Sequence, residues 1–461
     1  MRANVMGLER RWHFSWSLLP LLAACVGDNP APPLTDASVD VSQPIDGAIP
    51  VDAGPDIATD TGDAAVTTYN DITNAAFWET YDLTANIDPN AKGFDGAVFD
   101  GRYIYLVPGG YPNPSGLMLR YDSKAAFTSS SGWSQFDLAT QVSPTLRGFA
   151  GGLFDGRYLY LVPYSNTPNV YTGVSARYDT QAGFASATSW SSFDVKSVNP
   201  NAVGFTGGAF DGQYTYFVPT GSTVVARYDS KATFTQGAAW STFDLTTVDA
   251  NASGYLCAAF DGRYLYFSPY GSSTSSGLVL RHDTQQAFSA GWTKFDAKSV
   301  NANASGYAGV VFDGRYVYFV PYKTANGPGS LVLRNDTQAP FTQASSWATF
   351  DIASKNAAAK GFNGGTFDGR YVYFSPDPPG GSSASGVVAR LDVTGSFGSP
   401  NAWETFDVAS VNGQAKGFAG VAFDGAYVYF APYSSGTGGT IARFHAKSPS
   451  SLPPKPQGSF F

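Results

Sequence analysis

The sequence predicts an all-β fold: a seven-bladed β-propeller of four-stranded blades, closed by an N-terminal outer strand. A Phe-Asp-Gly motif recurs at intervals of about 50 to 56 residues, at Phe99, Phe154, Phe210, Phe260, Phe312, Phe367 and Phe423. Each copy lies among short runs of aromatic and β-branched residues bounded by Gly, Pro, Asn and Asp, which is typical of strands joined by turns. A long period with several strands in each copy indicates a ring of repeats.

Each repeat contains four strand candidates. The first reads Gly-Phe-x-Gly-x-x-Phe, as at 417–423, and the second reads Tyr-Val-Tyr-Phe-x-Pro, as at 427–432. The third ends in Arg-Tyr-Asp, as at 120–122, and the fourth reads Trp-x-x-Phe-Asp, as at 240–244. Four antiparallel strands in each of seven units form a propeller.

The position of the tryptophan motif predicts how the ring closes. The motif occurs at Trp78, Trp133, Trp190, Trp240, Trp292, Trp347 and Trp403. Its first copy precedes the first Phe-Asp-Gly, and no copy follows the last one. We therefore expect residues 78–83 to be the outer strand of the final blade, completing the sheet formed by 417–443 and leaving no frayed junction.

The repeat resembles the Kelch family over residues 78–445. In that family, too, a hydrophobic strand leads through a short turn to a Tyr-containing strand, a Tyr-Asp strand and a Trp strand. Kelch repeats end the second strand with Gly-Gly, whereas this chain has Pro, usually followed by Tyr, as at Pro163-Tyr164, Pro269-Tyr270, Pro321-Tyr322 and Pro432-Tyr433. The resemblance implies a propeller.

The charge is distributed unevenly along the chain. The net charge of the 461 residues is −8, and it becomes −10 without residues 1–24. Eight carboxylates lie between Val26 and Tyr69, where there is no Lys or Arg. The repeat region is therefore close to neutral. It has no basic stripe, so the sequence does not indicate a nucleic acid partner.

The N-terminus predicts export and a lipid anchor. Arg10 and Arg11 precede an apolar run, Trp16 to Ala24, that is too short to span a bilayer. The run ends Leu22-Ala23-Ala24-Cys25, which resembles the bacterial lipobox. The resemblance implies cleavage before Cys25 and its lipidation, which would hold the chain on the membrane. Because Val26, not Asp, follows the cysteine, it also implies the outer membrane, facing either the periplasm or the exterior.

Composition divides the chain into four parts. Residues 1–24 are the signal peptide, and 25–69 form a lipidated, acidic tether that cannot bury enough apolar surface to order itself. Residues 70–446 form the propeller, and 447–461 are expected to be a flexible C-terminal tail.

Groups that recur in every repeat are expected to be structural. The Asp of each Phe-Asp-Gly and the Arg of each third strand occur seven times, so we expect them to cap turns or to pair within and between blades. The mature chain has two Glu residues, Glu79 and Glu404, at the same outer-strand position, which predicts surface groups. Cys257 replaces a first-strand Gly found in the other six repeats, which favours a small buried side chain over a reactive thiol.

Catalytic and cofactor signatures are absent from the sequence. The mature chain has only His282 and His445, in distant repeats, so neither a His-based triad nor a multi-His metal site is predicted. The motifs G-x-S-x-G and H-E-x-x-H and the phosphate loop do not occur. We therefore expect no catalytic residue, metal or cofactor, although a pair of Asp carboxylates for glycoside hydrolysis stays open.

Departures from the repeat predict the binding site. The loops between second and third strands vary most, and variable loops on a rigid scaffold usually carry function. Their aromatic residues are the predicted ligand-binding set: Tyr111, Tyr164, Tyr171, Tyr270, Tyr322 and Tyr433. Nearby amides, such as Asn90, would add hydrogen bonds for a sugar or peptide. The alternative is that each Tyr only packs against the neighbouring blade.

Two functions fit these features. The first is a non-catalytic, outer-membrane binding module for a glycan or a protein. The second is an envelope or surface enzyme, a hydrolase or lyase acting on polysaccharide. A non-repeated cluster of Asp, Lys and Tyr at the channel mouth would favour the enzyme, and a sevenfold ring of equivalent polar groups would favour the binding module.

Overall fold

The computed structural model describes residues 66–109, 113–271, 276–377, 384–433 and 438–454. The predicted signal peptide, Cys25 and nearly all of the tether therefore lie outside the described residues, as does Tyr111. No helix among the described residues is long and apolar enough to cross a membrane.

The chain forms seven four-stranded antiparallel sheets, the blades of the predicted propeller. We name the strands of each blade a to d. The first six blades comprise, in order, Phe94–Phe99, Tyr103–Pro108, Leu117–Asp122 and Trp133–Asp137; Phe149–Phe154, Tyr158–Pro163, Val174–Asp179 and Trp190–Asp194; Phe205–Phe210, Tyr214–Pro219, Val224–Asp229 and Trp240–Asp244; Tyr255–Phe260, Tyr264–Pro269, Leu278–Asp283 and Trp292–Asp296; Tyr307–Phe312, Tyr316–Pro321, Leu331–Asp336 and Trp347–Asp351; and Phe362–Phe367, Tyr371–Pro376, Val387–Asp392 and Trp403–Asp407.

Blade 7 confirms the predicted closure. Its strands a to c are Phe418–Phe423, Tyr427–Pro432 and Thr440–His445, and its strand d is Trp78–Asp82 from the other end of the chain. Strand a of each blade contacts strand a of the next, and the last contacts the first, so the a strands surround the axis.

Short helical turns flank strand d. Most blades have a 3₁₀ turn before it, at Ala75–Phe77, Ser130–Gly132, Ala187–Ser189, Gly237–Ala239, Ala344–Ser346 and Pro400–Ala402. A helical turn follows it in every blade: α-helical at Leu83–Asn86 and Leu138–Gln141, and 3₁₀ at Val195–Ser197, Leu245–Thr247, Ala297–Ser299, Ile352–Ser354 and Val408–Ser410. The remaining strands are short: Thr68–Tyr69 pairs with Lys447–Ser448, and Lys323–Thr324 with Gly327–Pro328.

The Asp of Phe-Asp-Gly closes the turn between strands a and b. In blade 1, Asp100 Oδ1 accepts hydrogen bonds from the amides of Arg102 and Tyr103 at 2.8 and 2.7 Å, and Oδ2 accepts one from the Tyr105 hydroxyl at 2.7 Å. Gly101 has a φ of 101°, which an L side chain rarely adopts. The other six blades repeat this arrangement, so these Asp residues are structural, as predicted.

Aromatic stacking joins every blade to the next. The aromatic residue near the end of strand d lies against the tryptophan that begins strand d of the following blade. Phe350 and Trp403, for example, have ring centroids 4.8 Å apart at 6°. The other six pairs are Tyr81–Trp133, Phe136–Trp190, Phe193–Trp240, Phe243–Trp292, Phe295–Trp347 and Phe406–Trp78. This closed ring of stacks explains why both positions recur in all seven repeats.

The third-strand arginines also join blades. Arg120 lies over the Tyr103 ring of its own blade, at 4.1 Å, and over Phe184 of the next blade, at 4.5 Å. The two Glu residues pair with members of this set, Glu404 with Arg390 at 2.6 Å and Glu79 with Arg443 at 3.0 Å. The side chains of Glu79 and Glu404 are 43% and 39% exposed, as predicted for surface groups, and each also pairs with a buried arginine. Both guanidiniums are almost completely buried and need a counter-charge.

Both ends of the folded region extend past the predicted boundaries. Thr68 and Tyr69 pair with Ser448 and Lys447, so the fold begins before residue 70. Lys447 is buried and donates from Nζ to the Asp368 carbonyl at 2.6 Å. The tail expected to be flexible from residue 447 is therefore packed on the propeller through residue 451, where the Ser451 amide bonds to the Gly425 carbonyl at 2.9 Å. Residues 455–461 lie outside the described part of the chain.

Candidate functional site

The residue after the proline of each strand b occupies an equivalent place around the axis. Its amide donates to the carbonyl of the Gly that precedes strand a, at 2.8 to 3.2 Å in all seven blades. We call these residues the axial ring: Gly109, Tyr164, Thr220, Tyr270, Tyr322, Asp377 and Tyr433. They lie at the end of the propeller that carries the b–c loops and the connections between blades, here called the loop face. The Asp-Gly turns lie at the opposite end, the turn face.

Four predicted tyrosines meet in the axial ring. Tyr270 and Tyr322 have ring centroids 5.8 Å apart. Burial raises the pKa of Tyr164 and Tyr322, and the neighbouring Asp377 adds to the rise at Tyr322. The Asp95 carboxylate, together with burial, raises the pKa of Tyr433, which also interacts with Tyr164 and Tyr322. Tyr164, Tyr322 and Tyr433 come from the non-adjacent blades 2, 5 and 7, so their side chains interact across the axis, and the raised pKa of each keeps its hydroxyl protonated.

The second residue of strand a decides what the ring position holds. The four tyrosines accompany an apolar residue there, Ala150, Leu256, Ala308 and Ala419. The other three blades have a polar second residue, Asp95, Thr206 or Asn363, and in blades 3 and 6 it pairs with the ring residue. In blade 3 the Thr206 and Thr220 hydroxyls are 2.5 Å apart, and in blade 6 Asn363 Nδ2 donates to Asp377 Oδ2 at 3.3 Å. In blade 1, the ring position is Gly109, and a Cβ on it would lie 2.9 Å from Asp95 Oδ2.

Asp377 is the most perturbed acid of the ring. It is 2% exposed, and burial raises its pKa to about 6. An acid with such a pKa changes charge near neutral pH, which is frequent at functional sites. Asp377 stands where four other blades have Tyr.

A groove crosses blade 1 on the loop face and is lined in part by Gly109, the ring position of that blade. This groove has a volume of about 1120 Å³. Gly93 and Gly109 lie at its inner end, and Gln135 and Asp137 of strand d line its outer part. Four amide side chains belong to its polar lining: Asn90, Asn113, Gln135 and Gln141. Lys92 and Arg147 also line it. We call this cavity the radial groove.

The remaining predicted site residues lie at or beyond the rim. Tyr171 is 43% exposed and lies with its ring centroid 5.4 Å from that of Tyr164, so it extends the aromatic surface outward. Lys323 Nζ lies 3.6 Å from the Tyr270 ring centroid. Tyr111 belongs to the b–c loop of blade 1 but lies outside the described residues.

Sequence reasoning missed Gly109, Asp95, Asp377, Lys92 and Arg147. For Asp377 and Asp95 the sequence did carry a signal, because both residues depart from the repeat. Asp377 follows Pro376 where Tyr is usual, and Asp95 follows Phe94 where Ala is usual. The convergence of Lys92 and Arg147 on one groove depends on the geometry of neighbouring blades and could not be read from spacing.

Other candidate chemical groups lie away from this site. Cys257 is buried, and burial raises its pKa to about 12, so it is a thiol packed in the core, as predicted. Burial lowers the pKa of His282 to about 4, and its ring stacks on Trp292 at 4.6 Å. Across the described ranges, no group of three or more His, Cys, Asp or Glu residues is placed to hold a metal ion.

The turn face has a second cavity of different character. It measures about 520 Å³ and is lined by phenylalanines of the Phe-Asp-Gly motifs, together with Leu452 and Pro453 of the C-terminal segment. The surface is mainly apolar and repeats around the axis. The polar, non-repeated features are on the loop face.

Comparison with solved structures supports the fold. A virginiamycin B lyase from Staphylococcus aureus, solved with quinupristin, matches with a TM-score of 0.51 and 14% identity over 80% of this chain and 99% of that chain. A streptogramin B lyase matches with a TM-score of 0.51 and 11% identity over 80% and 97%. Hydrazine synthase from Kuenenia stuttgartiensis matches with a TM-score of 0.50 and 14% identity over 78% and 97%.

At these identities the matches establish a propeller and say nothing about activity. No protein-family model matches the chain, and no curated protein matches it. The resemblance to Kelch repeats therefore stays a prediction. The chain is an all-β, seven-bladed propeller similar in fold to the two lyases named above.

Proposed function

We propose that this protein is a non-catalytic, glycan-binding lipoprotein of the bacterial outer membrane. The observation that carries the proposal is that the tyrosines of the axial ring and the amide side chains of the radial groove lie on the same face of the propeller. Tyrosine rings offer stacking faces for sugars, and the amides of Asn90, Asn113, Gln135 and Gln141 offer paired donors and acceptors for sugar hydroxyls. A concave site with a few polar groups is where ligands usually bind.

The protonation of the ring favours binding over base catalysis. A tyrosine that removes a proton from a substrate needs a lowered pKa. In this ring the pKa of Tyr164, Tyr322 and Tyr433 is raised, so their hydroxyls stay protonated and donate hydrogen bonds. Asp377 is almost completely buried, which limits its direct contact with a polysaccharide.

An enzyme acting on polysaccharide is the second candidate. It is supported by the composition of the cluster, which combines Asp95, Asp377, Lys323 and tyrosines and is not repeated around the ring. That is the arrangement the sequence analysis associates with catalysis. Asp377, with a pKa of about 6, could serve as a general acid if the ligand reached it.

The anchor is proposed from the N-terminal sequence. Cys25 would carry the acyl chains, and the acidic segment from 26 to 65 would separate the propeller from the membrane. A coil of that length has a typical reach of about 35 Å. Metabolic labelling with a palmitate analogue should mark the wild-type protein and fail to mark Cys25→Ser.

The test of function is a glycan and cell-wall polysaccharide binding screen with residues 26–461, followed by product analysis of every ligand bound. We expect saturable binding and unchanged ligand. Tyr164→Ala, Tyr270→Ala and Tyr322→Ala should each weaken binding about tenfold, a loss of about 1.4 kcal/mol.

Leu452→Ala is the matched control, because it trims a side chain that is 51% exposed on the turn face. Its affinity should equal that of the wild type. Shortened or unsaturated products would establish the enzyme instead. Binding of no glycan would contradict the proposal and direct the search to a protein partner.

A further inference from the structure

We infer that the ligand is an acidic polysaccharide, whose carboxylates are held by an arc of basic side chains on the loop face. This inference rests on the proposed glycan-binding function and adds the charge of the ligand. It is based on which residue type occupies one position of the repeat, the residue just before the Gly that precedes strand a. We call this the arc position.

Four adjacent blades have a basic residue at this position. They are blades 6, 7, 1 and 2, with Lys360, Lys416, Lys92 and Arg147. Blades 3, 4 and 5 have Val203, Ser253 and Ser305 there. Because three blades form the same strands without a charge, the fold does not require one. Adjacent placement makes the four cations a continuous arc around one side of the axial ring.

Two members of the arc flank the radial groove. Lys92 and Arg147 both line it, and both are exposed. Neither appears in an ion pair among the described residues. A guanidinium and an ammonium on opposite sides of a polar groove are suited to carboxylates along one chain.

The acids of the groove already bond to the backbone. Asp88 Oδ1 accepts the Asn90 amide at 2.8 Å, and Asp137 Oδ1 accepts the Ala139 amide at 3.0 Å. Asp137 has a counterpart at the end of every strand d, so it belongs to the repeat. The segments 110–112, 272–275, 378–383 and 434–437 contain no charged residue. The charged residues that line this groove are therefore Lys92 and Arg147, together with two acids, Asp88 and Asp137, that backbone amides hold in place.

The equivalent groove of blade 4 provides an internal contrast. It is lined by Asp249, Asn251, Lys294 and Lys298. There Lys294 Nζ pairs with Asp249 Oδ2 at 2.8 Å, so its charge is matched within the protein. Blade 4 also has Ser253 at the arc position and Tyr270 at the ring position. Two arc cations line the groove of blade 1, Lys92 and Arg147, and two others, Lys360 and Lys416, line the groove beside blade 6, whereas no arc cation lines the groove of blade 4.

The experiment compares one polymer with and without its charge. Binding of residues 26–461 is measured by calorimetry against a galacturonan in its free-acid form and in its fully methyl-esterified form, at low and high salt. We expect the free acid to bind at least tenfold more tightly and to lose affinity with salt, because exposed charge pairs are screened. The double substitution Lys92→Gln/Arg147→Gln should remove most of this preference.

Lys124→Gln is the matched control, since it removes one exposed charge from the turn face of the same blade. Equal binding of both polymers would overturn the inference while leaving glycan binding intact. Binding of neither would overturn the inference, and the glycan screen then decides the proposed function separately. Unchanged preference in the double variant, or equal affinity for a single-stranded DNA of matched charge, would also overturn it.

Discussion

We expect the ionised Asp377 carboxylate to lower the free energy of unfolding at neutral pH, and the protonated carboxyl to leave it unchanged at acidic pH. Its carboxylate is buried in the axial ring, with Asn363 Nδ2 at 3.3 Å as a hydrogen-bond donor. Burial raises the pKa of Asp377 from 3.8 to about 6. The folded state therefore holds the proton more tightly than the unfolded chain does. The penalty for ionisation is absent below pH 3.8 and complete above pH 6.

The free-energy cost of ionising Asp377 in the folded state follows from the rise in its pKa. A rise of about two pKa units at 1.36 kcal/mol per unit corresponds to about 3 kcal/mol. Asp377→Asn keeps the shape and cannot ionise, so it should raise the free energy of unfolding by about 2–3 kcal/mol at pH 7.5 and by little at pH 4. For about 390 folded residues, an unfolding entropy of about 2.1 cal/mol/K per residue makes this about 2–4 °C in Tm.

Thermal unfolding of both proteins between pH 4 and 8 measures the effect. Asp336→Asn is the control of opposite sign, because the Arg315 guanidinium lowers the pKa of Asp336. That variant should lose stability at pH 7.5 and lose less at low pH. A Tm for Asp377→Asn below that of the wild type at pH 7.5, or a gain independent of pH, would refute the reasoning. Retaining an acid at a cost in stability is typical of functional sites.

Three further predictions concern the packing of the blades. Burial lowers the pKa of His282 from 6.5 to about 4, so the free energy of unfolding of the wild type should fall by up to about 3 kcal/mol as the pH drops through this range. His282→Phe cannot be protonated and should not show this contribution to the fall. Parallel pH profiles of stability in the two proteins would contradict the prediction. Phe350→Ala removes the stack on Trp403 and should lower the free energy of unfolding, measured with denaturant, by about 3–4 kcal/mol. Phe350→Leu keeps apolar volume without the ring and should lower it by about 1–2 kcal/mol. Equal losses in the two variants would argue against a contribution from stacking. Glu404→Ala leaves the Arg390 guanidinium, which is 2% exposed, without its carboxylate partner. The variant should lose about 1–2 kcal/mol of unfolding free energy, more than Glu404→Gln loses. An unchanged Tm would show that the ion pair contributes nothing to stability.

The fold could be predicted from the sequence because each blade repeats the same local solutions. The Asp-Gly turn, the Trp-Phe stack and the Arg between two rings recur, so recurrence identified the strands before any contact was known. Closure was predictable for the same reason: Trp78 carries the outer-strand motif without an inner strand before it. The pairing of Glu404 with Arg390 was missed because it depends on cross-strand register.

The candidate site was predictable only in part. Tyr164, Tyr270, Tyr322 and Tyr433 follow a proline in the repeat, which marked them as a set, and they meet in the axial ring. The radial groove is formed by side chains from the two connections that flank blade 1 and from its outer strand. Repeat spacing describes one blade at a time, so features formed between blades require the structure.

The crystal structure of the protein with a bound acidic oligosaccharide tests the central claim most directly. The account predicts sugar rings along the radial groove, carboxylates between Lys92 and Arg147, and the innermost ring against the tyrosines of the axial ring. The same oligosaccharide in the turn-face cavity lined by Leu452, or in the groove of blade 4 beside Lys294, would contradict it.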